Sequence, residues 1–316
     1  MAVYTQVGSD ELARLLERFE VGEGVALKGI AEGIENSNFL LDTTRSRYIL
    51  TLYEKRVSER DLPFFLDLID HLAERGLPVP RALADREGGR IQRVAGRPAC
   101  LIEFLPGLAV TEATPEKALA AGEALGRMHA ASVTFRHFRG NSLGVEAWRP
   151  LLERCGTAAD EIAPGLYARL DEALDRVERD WPHQLPRAVI HADLFPDNVL
   201  MLGNRVTGLI DFYFACTEVR AYDLAVTHSA WSFDASGAHY DPAVGRALVE
   251  GYEAAFGLSD DERAALPVLA QGACIRFLLT RAWDWLNTPA DALVTRKDPL
   301  AYLRRLESYE REDLFG

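Results

Sequence analysis

The sequence predicts an α+β fold, with a small β-rich N-terminal part followed by a larger, mainly helical C-terminal part. Three observations predict it. Short runs of β-forming residues, separated by turn signals, fill much of the first third of the chain. Helical spacing of apolar residues dominates from residue 115 onward. A single β-rich island, residues 187–212, interrupts the helices.

In chain order, SDELARLLERF (9–19) reads as an amphipathic helix, with Ser9 as N-cap and Leu12, Leu15, Leu16 and Phe19 on one face. Strands follow at 25–32, 36–42 and 46–54, separated by the turn-rich segments GIENSN and DTTRS. RYILTLYE alternates and is rich in β-formers, as a half-buried strand requires. DLPFFLDLIDHLAER (61–75) has helical spacing and stops at Gly76. Two more strands are expected near 90–94 and 98–104. The character changes at Leu105-Pro106-Gly107, so the expected domains are 1–104 and 105–316. Beyond that point 115–131, 146–155, 165–179, 242–256, 260–286 and 298–310 read as helices.

Composition excludes several classes. No apolar run reaches the ~18 residues that span a bilayer. The longest, 206–216 and 264–283, are broken by Asp211, Gln271 and Arg276. The N-terminus lacks a basic patch followed by an apolar core, so no secretory signal is expected. Cys100, Cys155, Cys216 and Cys274 are scattered, with no CxxC pair or zinc spacing. That pattern predicts reduced thiols and a cytoplasmic setting. A net charge of −13 argues against nucleic acid, because phosphate contacts need Lys/Arg patches. It suits plain solubility more than it points to a cationic small substrate.

The island carries the chemistry. RAVIHADLFPDNVLMLGNRVTGLIDFYFA sets His191, Asp193, Asp197, Asn198 and Asp211 among apolar strands. Two short strands joined by GNRVTG bring Asn198 and Asp211 side by side, with Asp193 on the loop before them. Phosphoryl transfer needs such a set. One carboxylate orients the attacking hydroxyl and takes its proton, and hard oxygen ligands hold Mg²⁺ against the phosphates of ATP. The spacing H-x-D-x4-N, followed by a later aspartate, is that of kinase catalytic loops.

HADLFPDN and IDF resemble the HGDLHPxN and IDF/IDW motifs of the aminoglycoside phosphotransferase/choline kinase group. LGRMHA (125–130), AYDLA (221–225) and IEFLPG (102–107) resemble that group's helix before the catalytic loop, the helix after it, and its adenine-binding hinge. The resemblance covers nearly the whole chain. It implies a bilobal, protein-kinase-like fold with a nucleotide-binding N-terminal lobe and a catalytic, substrate-binding C-terminal lobe. GIENSNFLLDTT, YILTLYE and LPFFLDLIDHLAERGLPVP add a likeness to the homoserine kinase branch of that group. The implied activity is ATP-dependent phosphorylation of the side-chain hydroxyl of L-homoserine.

The roles that the resemblance implies are these. Asp193 is the catalytic carboxylate. His191 supports the loop, and Asp223 braces it from the next helix. Asn198 and Asp211 are the metal ligands. Glu103 and Leu105 lie in the hinge. Asn36, Ser37 and Asn38 lie where a loop covers the nucleotide, although the same residues also suit an ordinary hairpin turn.

The pattern departs from the kinase norm at one pair. Thr51 occupies the usual strand lysine position, and Phe65 the position of its helix glutamate. Lys28, on the first strand, is the candidate replacement cation. For the acceptor carboxylate, an arginine fork is the expected partner. GACIRFLLTRAWDWL offers Arg276 and Arg281, with Trp285 four residues beyond Arg281 and Tyr213 and Trp231 as further lining, and Arg281 is the residue expected to meet the carboxylate. Aromatics at helical spacing more often belong to a core. Choline, ethanolamine or an aminoglycoside remain alternative acceptors, although arginine density weighs against cations. A non-catalytic nucleotide binder is the alternative outside enzymes, supported only by the missing Lys/Glu pair.

Overall fold

The computed structural model describes residues 5–30, 36–54, 57–288 and 296–315. The chain divides into two compact units, with the break between Pro106 and Gly107.

In the first unit, β1 (Gly24–Gly29), β2 (Asn36–Thr43), β3 (Arg47–Tyr53), β4 (Gln92–Val94) and β5 (Arg97–Glu103) form one antiparallel sheet in the order β1-β2-β3-β5-β4. Period-2 alternation sends Phe39, Leu41, Leu50, Leu52, Ala99 and Leu101 to one face. There they form a core with Leu15 and Leu16 of α1 (Ser9–Leu16) and with Phe19. Ser9 is the first helical residue and not the cap. Gly8 holds that position, and no side chain caps it. Asp10 and Glu11 in the first turn complement the helix dipole instead. α2 (Leu62–Glu74) buries Leu62, Phe65, Leu68 and Leu72. Its acidic face is held by Arg90, which meets Asp67 and Asp70 at 2.5 Å each.

The second unit is mainly helical: α3 (Pro115–Ser132), α4 (Val145–Cys155), α5 (Leu166–Asp180), α6 (Arg220–Trp231), α7 (Pro242–Ala255), α8 (Asp260–Asn287) and α9 (Leu300–Arg311). α3 and α7 pack backbone against backbone. A Cβ on Gly122 would lie 2.0 Å from the Leu248 carbonyl oxygen, and one on Gly251 2.1 Å from that of Leu119. α8 opens with a capping box between Ser259 and Glu262, and the buried Glu262 carboxylate also pairs with Arg220 of α6. Two small sheets sit beside these helices. β6 (Leu108–Ala109), β8 (Val199–Leu202) and β9 (Arg205–Leu209) form one, and β7 (Arg187–Ile190) pairs with β10 (Cys216–Val219) in the other. No described helix is long and apolar enough to cross a membrane.

Candidate active site

The site is built on the crossover from β7 to the β8–β9 hairpin. β7 ends at Ile190, and His191–Ala192–Asp193 follow as a loop. A short 3-10 turn, Pro196–Asn198, leads into β8. Gly203, at φ +61°, makes the tight turn into β9. The ladder puts Val199 opposite Leu209, and the Ile210 amide donates to the Asn198 carbonyl at 3.0 Å. Asn198 and Asp211 are thereby set one residue apart across the hairpin mouth. The Asn198 side-chain NH₂ donates to the Asp193 carbonyl at 2.8 Å and lies 3.4 Å from Asp193 Oδ2. That bond turns the Asn198 amide NH₂ to the loop and leaves its amide oxygen as an acceptor. Asn198 and Asp211 thus offer hard oxygen donors of the kind a divalent cation takes. Among the described residues no cluster of three or more His, Cys, Asp or Glu side chains is preassembled for a metal.

Two residues here have left-handed backbones: Ala192 at φ +64° and Asp211 at φ +65°. Such a conformation costs an L-residue about 1–2 kcal/mol, less for Asp than for Ala. The surroundings hold it in place. Asp223 of α6, fully buried, accepts from the His191 amide and the Ala192 amide at 2.7 Å each and from His129 Nε2 at 2.9 Å. His129 Nδ1 meets the Tyr252 hydroxyl at 2.8 Å. Burial alone would raise the Asp223 pKa. The His129 bond, the two imidazoles and the backbone amides outweigh it and hold the carboxyl below its ordinary range. Arg276 of α8 donates to the Ala192 carbonyl at 2.5 Å, and Trp231 Nε1 donates to the Leu194 carbonyl at 3.0 Å.

His191 is wholly buried, and burial lowers its pKa, so the ring is neutral. Its Nε2 donates to the Ile210 carbonyl at 3.0 Å, and its Nδ1 accepts from the Asp193 amide at 3.3 Å. The imidazole therefore ties the His191–Asp193 loop to the strand end that carries Asp211. Both of its ring nitrogens are engaged by backbone groups. Asp193 and Asp211 themselves are only half-buried.

The remaining expected residues fall in different places. In the first unit, register sets Lys28, Leu40 and Ile49 on one face together with Asn38 and Thr51. Thr51 donates to Asn38 Oδ1 at 2.8 Å, so the usual lysine position is filled by a neutral pair. Phe65 is 1 % exposed and belongs to the core. Asn36 is buried with its Oδ1 unpartnered. Ser37 is the exception in its trio. Alternation turns its side chain to the opposite face, where it is fully buried and donates to Glu54 at 2.7 Å. These three residues are strand and not hairpin turn. Glu103 accepts from the Arg81 amide at 3.2 Å, and Leu105 follows β5 in irregular chain.

In the second unit, Tyr213 lies half-buried in the 3-10 turn just after Asp211. Trp231 does not line an open wall. It is 2 % exposed and serves the loop through Leu194. Trp285 is 36 % exposed, with Arg296 over its ring. Arg281 is half-buried, donates to the Asp298 carbonyl at 3.1 Å, and rests 4.5 Å over the Tyr302 ring. Burial lowers its pKa, with Arg305 acting in the same sense and Tyr302, Asp298 and Asp193 in the opposite one. The sequence assigns no role to His129 or Tyr302, and it offers Arg276 to the acceptor, whereas the structure turns that guanidinium to the Ala192 carbonyl. Arg276 carried one signal, a lone cation in the apolar run GACIRFLL.

Residues 26–266 match the phosphotransferase enzyme family. A homoserine kinase of Zymomonas mobilis subsp. mobilis is 51 % identical over 316 residues, covering 99 % of this chain and 98 % of its own. A homoserine kinase of Gluconobacter oxydans is 51 % identical over 312 residues, covering 98 % of each chain. Among solved structures, an amicoumacin kinase in complex with AMP-PNP, Ca2+ and Ami superposes with a TM-score of 0.73 at 18 % identity, covering 96 % of this chain and 95 % of that one.

Proposed function

The chain belongs to the phosphotransferase enzyme family, and from that premise we infer that it phosphorylates the side-chain hydroxyl of L-homoserine with ATP, giving O-phospho-L-homoserine. The observation that carries the substrate is the 51 % identity to homoserine kinases along essentially the full length of both chains. The bracing of Asp193 by its neighbours fits the reaction class.

In the proposed mechanism, Asp193 accepts a hydrogen bond from the homoserine hydroxyl and takes its proton as the oxygen attacks the γ-phosphorus of ATP. The bond from the γ-phosphorus to the β–γ bridging oxygen breaks, and ADP leaves with that electron pair. Asn198 and Asp211 hold Mg²⁺, which screens the phosphate charge when bound. His191, neutral and doubly hydrogen-bonded, keeps the loop and the Asp211 strand end in register. Arg281 faces the acceptor carboxylate, with Tyr213 and Trp285 as further lining. On the nucleotide side, Lys28 replaces the missing strand lysine, Asn36 and Asn38 flank the phosphates, and the hinge at Glu103 and Leu105 offers backbone groups to adenine. A protein regulator that binds ATP without turnover is favoured only by the Thr51–Asn38 pair, and the braced Asp193 weighs against it. Four buried free thiols suit the reducing cytoplasm.

The test is ADP release by the purified protein with Mg-ATP and, separately, L-homoserine, choline, ethanolamine or kanamycin. Release with L-homoserine alone is expected. Release driven by another acceptor would leave a kinase with a different substrate.

A further inference from the structure

Arg276 is 2 % exposed, yet it donates to a backbone carbonyl, that of Ala192, with the neutral Tyr222 hydroxyl as its other polar neighbour. Its guanidinium sits 4.5 Å over the Phe277 ring and 5.5 Å over Phe214, and its Nε has no partner. Among the described residues it forms no ion pair with a carboxylate. A buried cation without a counter-charge is costly, and a residue of similar volume without the charge would fill this space more cheaply. Packing therefore does not account for an arginine here.

The geometry around its partner does. Ala192 is one of three non-glycine residues among those described with positive φ, at +64°. A Cβ disfavours that conformation, and without restraint the residue relaxes to negative φ. Three groups hold the two peptides that flank it. Asp223 accepts from the Ala192 amide, Arg276 donates to the Ala192 carbonyl, and His191 Nδ1 accepts from the Asp193 amide. Both polar atoms of the peptide that enters Asp193 are thus fixed, by Arg276 on one side and His191 on the other. The direction in which Asp193 leaves the backbone follows from that peptide plane.

We propose that Arg276 is a positioning residue for phosphoryl transfer: its guanidinium clamps the Ala192 carbonyl, keeps the strained Ala192 backbone in the left-handed region, and so aims the Asp193 carboxylate at the acceptor hydroxyl. The inference rests on the kinase reading for its kinetic consequence, but the clamp itself is a property of the folded loop.

Arg276→Met keeps the apolar stem and removes the charge. Arg276→Lys keeps the charge and removes the fork. Each is combined with Ala192→Gly, which removes the Cβ penalty at the strained position. A misplacement of about 1 Å can cost on the order of 100-fold in rate. Arg276→Met, or Arg276→Lys if the first is insoluble, is expected to lower kcat by at least about tenfold with KM for Mg-ATP within about threefold. Ala192→Gly is expected to recover several-fold of that loss, more than it changes the Arg276 enzyme, because glycine reaches positive φ without restraint. Amide exchange at 191–194 should rise in the Arg276 variant. A kcat within threefold of the parent, or an Ala192→Gly effect equal in both backgrounds, would overturn the proposal. If the parent protein phosphorylates none of the acceptors, the kinase reading falls. The exchange measurement then decides the clamp alone, unchanged exchange overturning it.

Discussion

Replacing Asp223 by asparagine tests how the catalytic loop is held. The parent carboxylate accepts three bonds, at 2.7, 2.7 and 2.9 Å, from two backbone amides and His129, in a site with no solvent access. Asparagine offers one oxygen, and its NH₂ confronts a donor. At least one buried N–H is then left unpaired, at about 1–3 kcal/mol, and a charge-assisted bond worth about 1.5–3 kcal/mol is lost. The sum is roughly 3–5 kcal/mol, the range for breaking a buried charged pair. Unfolding of the second unit should shift down by on the order of 10 °C, at about 2–4 °C per kcal/mol. The pH dependence carries a sign. The folded carboxyl is held below its ordinary value, so its contribution is complete above the unfolded value of about 3.9 and fades as pH falls through the folded value. Urea unfolding at several pH values should show a gap between parent and variant that is flat from neutrality to about pH 5 and narrows below about pH 4. Loss of Ala192 restraint should also lower kcat by 10-fold or more. A stability difference under about 1 kcal/mol with unchanged kcat, or a gap that widens in acid, would refute the reasoning.

Asp193→Asn should lower kcat by about 10²–10⁴-fold or more with ATP affinity nearly unchanged, read by steady-state kinetics and nucleotide binding. Asp211→Asn weakens one oxygen ligand, so the Mg²⁺ concentration for half-maximal rate should rise at least tenfold in a metal titration. Gly122→Ala drives a methyl into the Leu248 carbonyl, 2.0 Å from the ideal Cβ. The α3–α7 contact must open, at about 1–3 kcal/mol or more by chemical denaturation. Trp231→Phe keeps an aromatic ring, though a smaller one, and leaves the Leu194 carbonyl without its donor at 3.0 Å. Its kcat should fall several-fold while KM for L-homoserine changes little.

Much of this was legible in the sequence, for identifiable reasons. Strong periodicity placed α3, α5, α7 and α8 to within a residue or two, because a long apolar stripe leaves few alternatives. The hairpin that joins Asn198 to Asp211 was readable from its turn signal, but the turn is Gly203-Asn204 alone and the rest of GNRVTG is strand, because Arg205, Val206 and Gly208 pair with β8. Ser37 was misjudged because three adjacent polar residues look alike until strand register turns the middle one away. Trp231 and Arg276 were read toward the acceptor because spacing gives a helix face but not what that face meets. Both instead hold backbone carbonyls of the catalytic loop. His129 stood in a motif, yet its bond to Asp223 spans 94 positions, and nothing local encodes that pairing.

The most direct measurement is phosphorus NMR of the products formed from Mg-ATP and L-homoserine by the purified protein, with Asp193→Asn run in parallel. The account predicts a new phosphomonoester resonance of O-phospho-L-homoserine, stoichiometric with ADP and lost in the variant. Inorganic phosphate in its place, or an equal yield from Asp193→Asn, would contradict it.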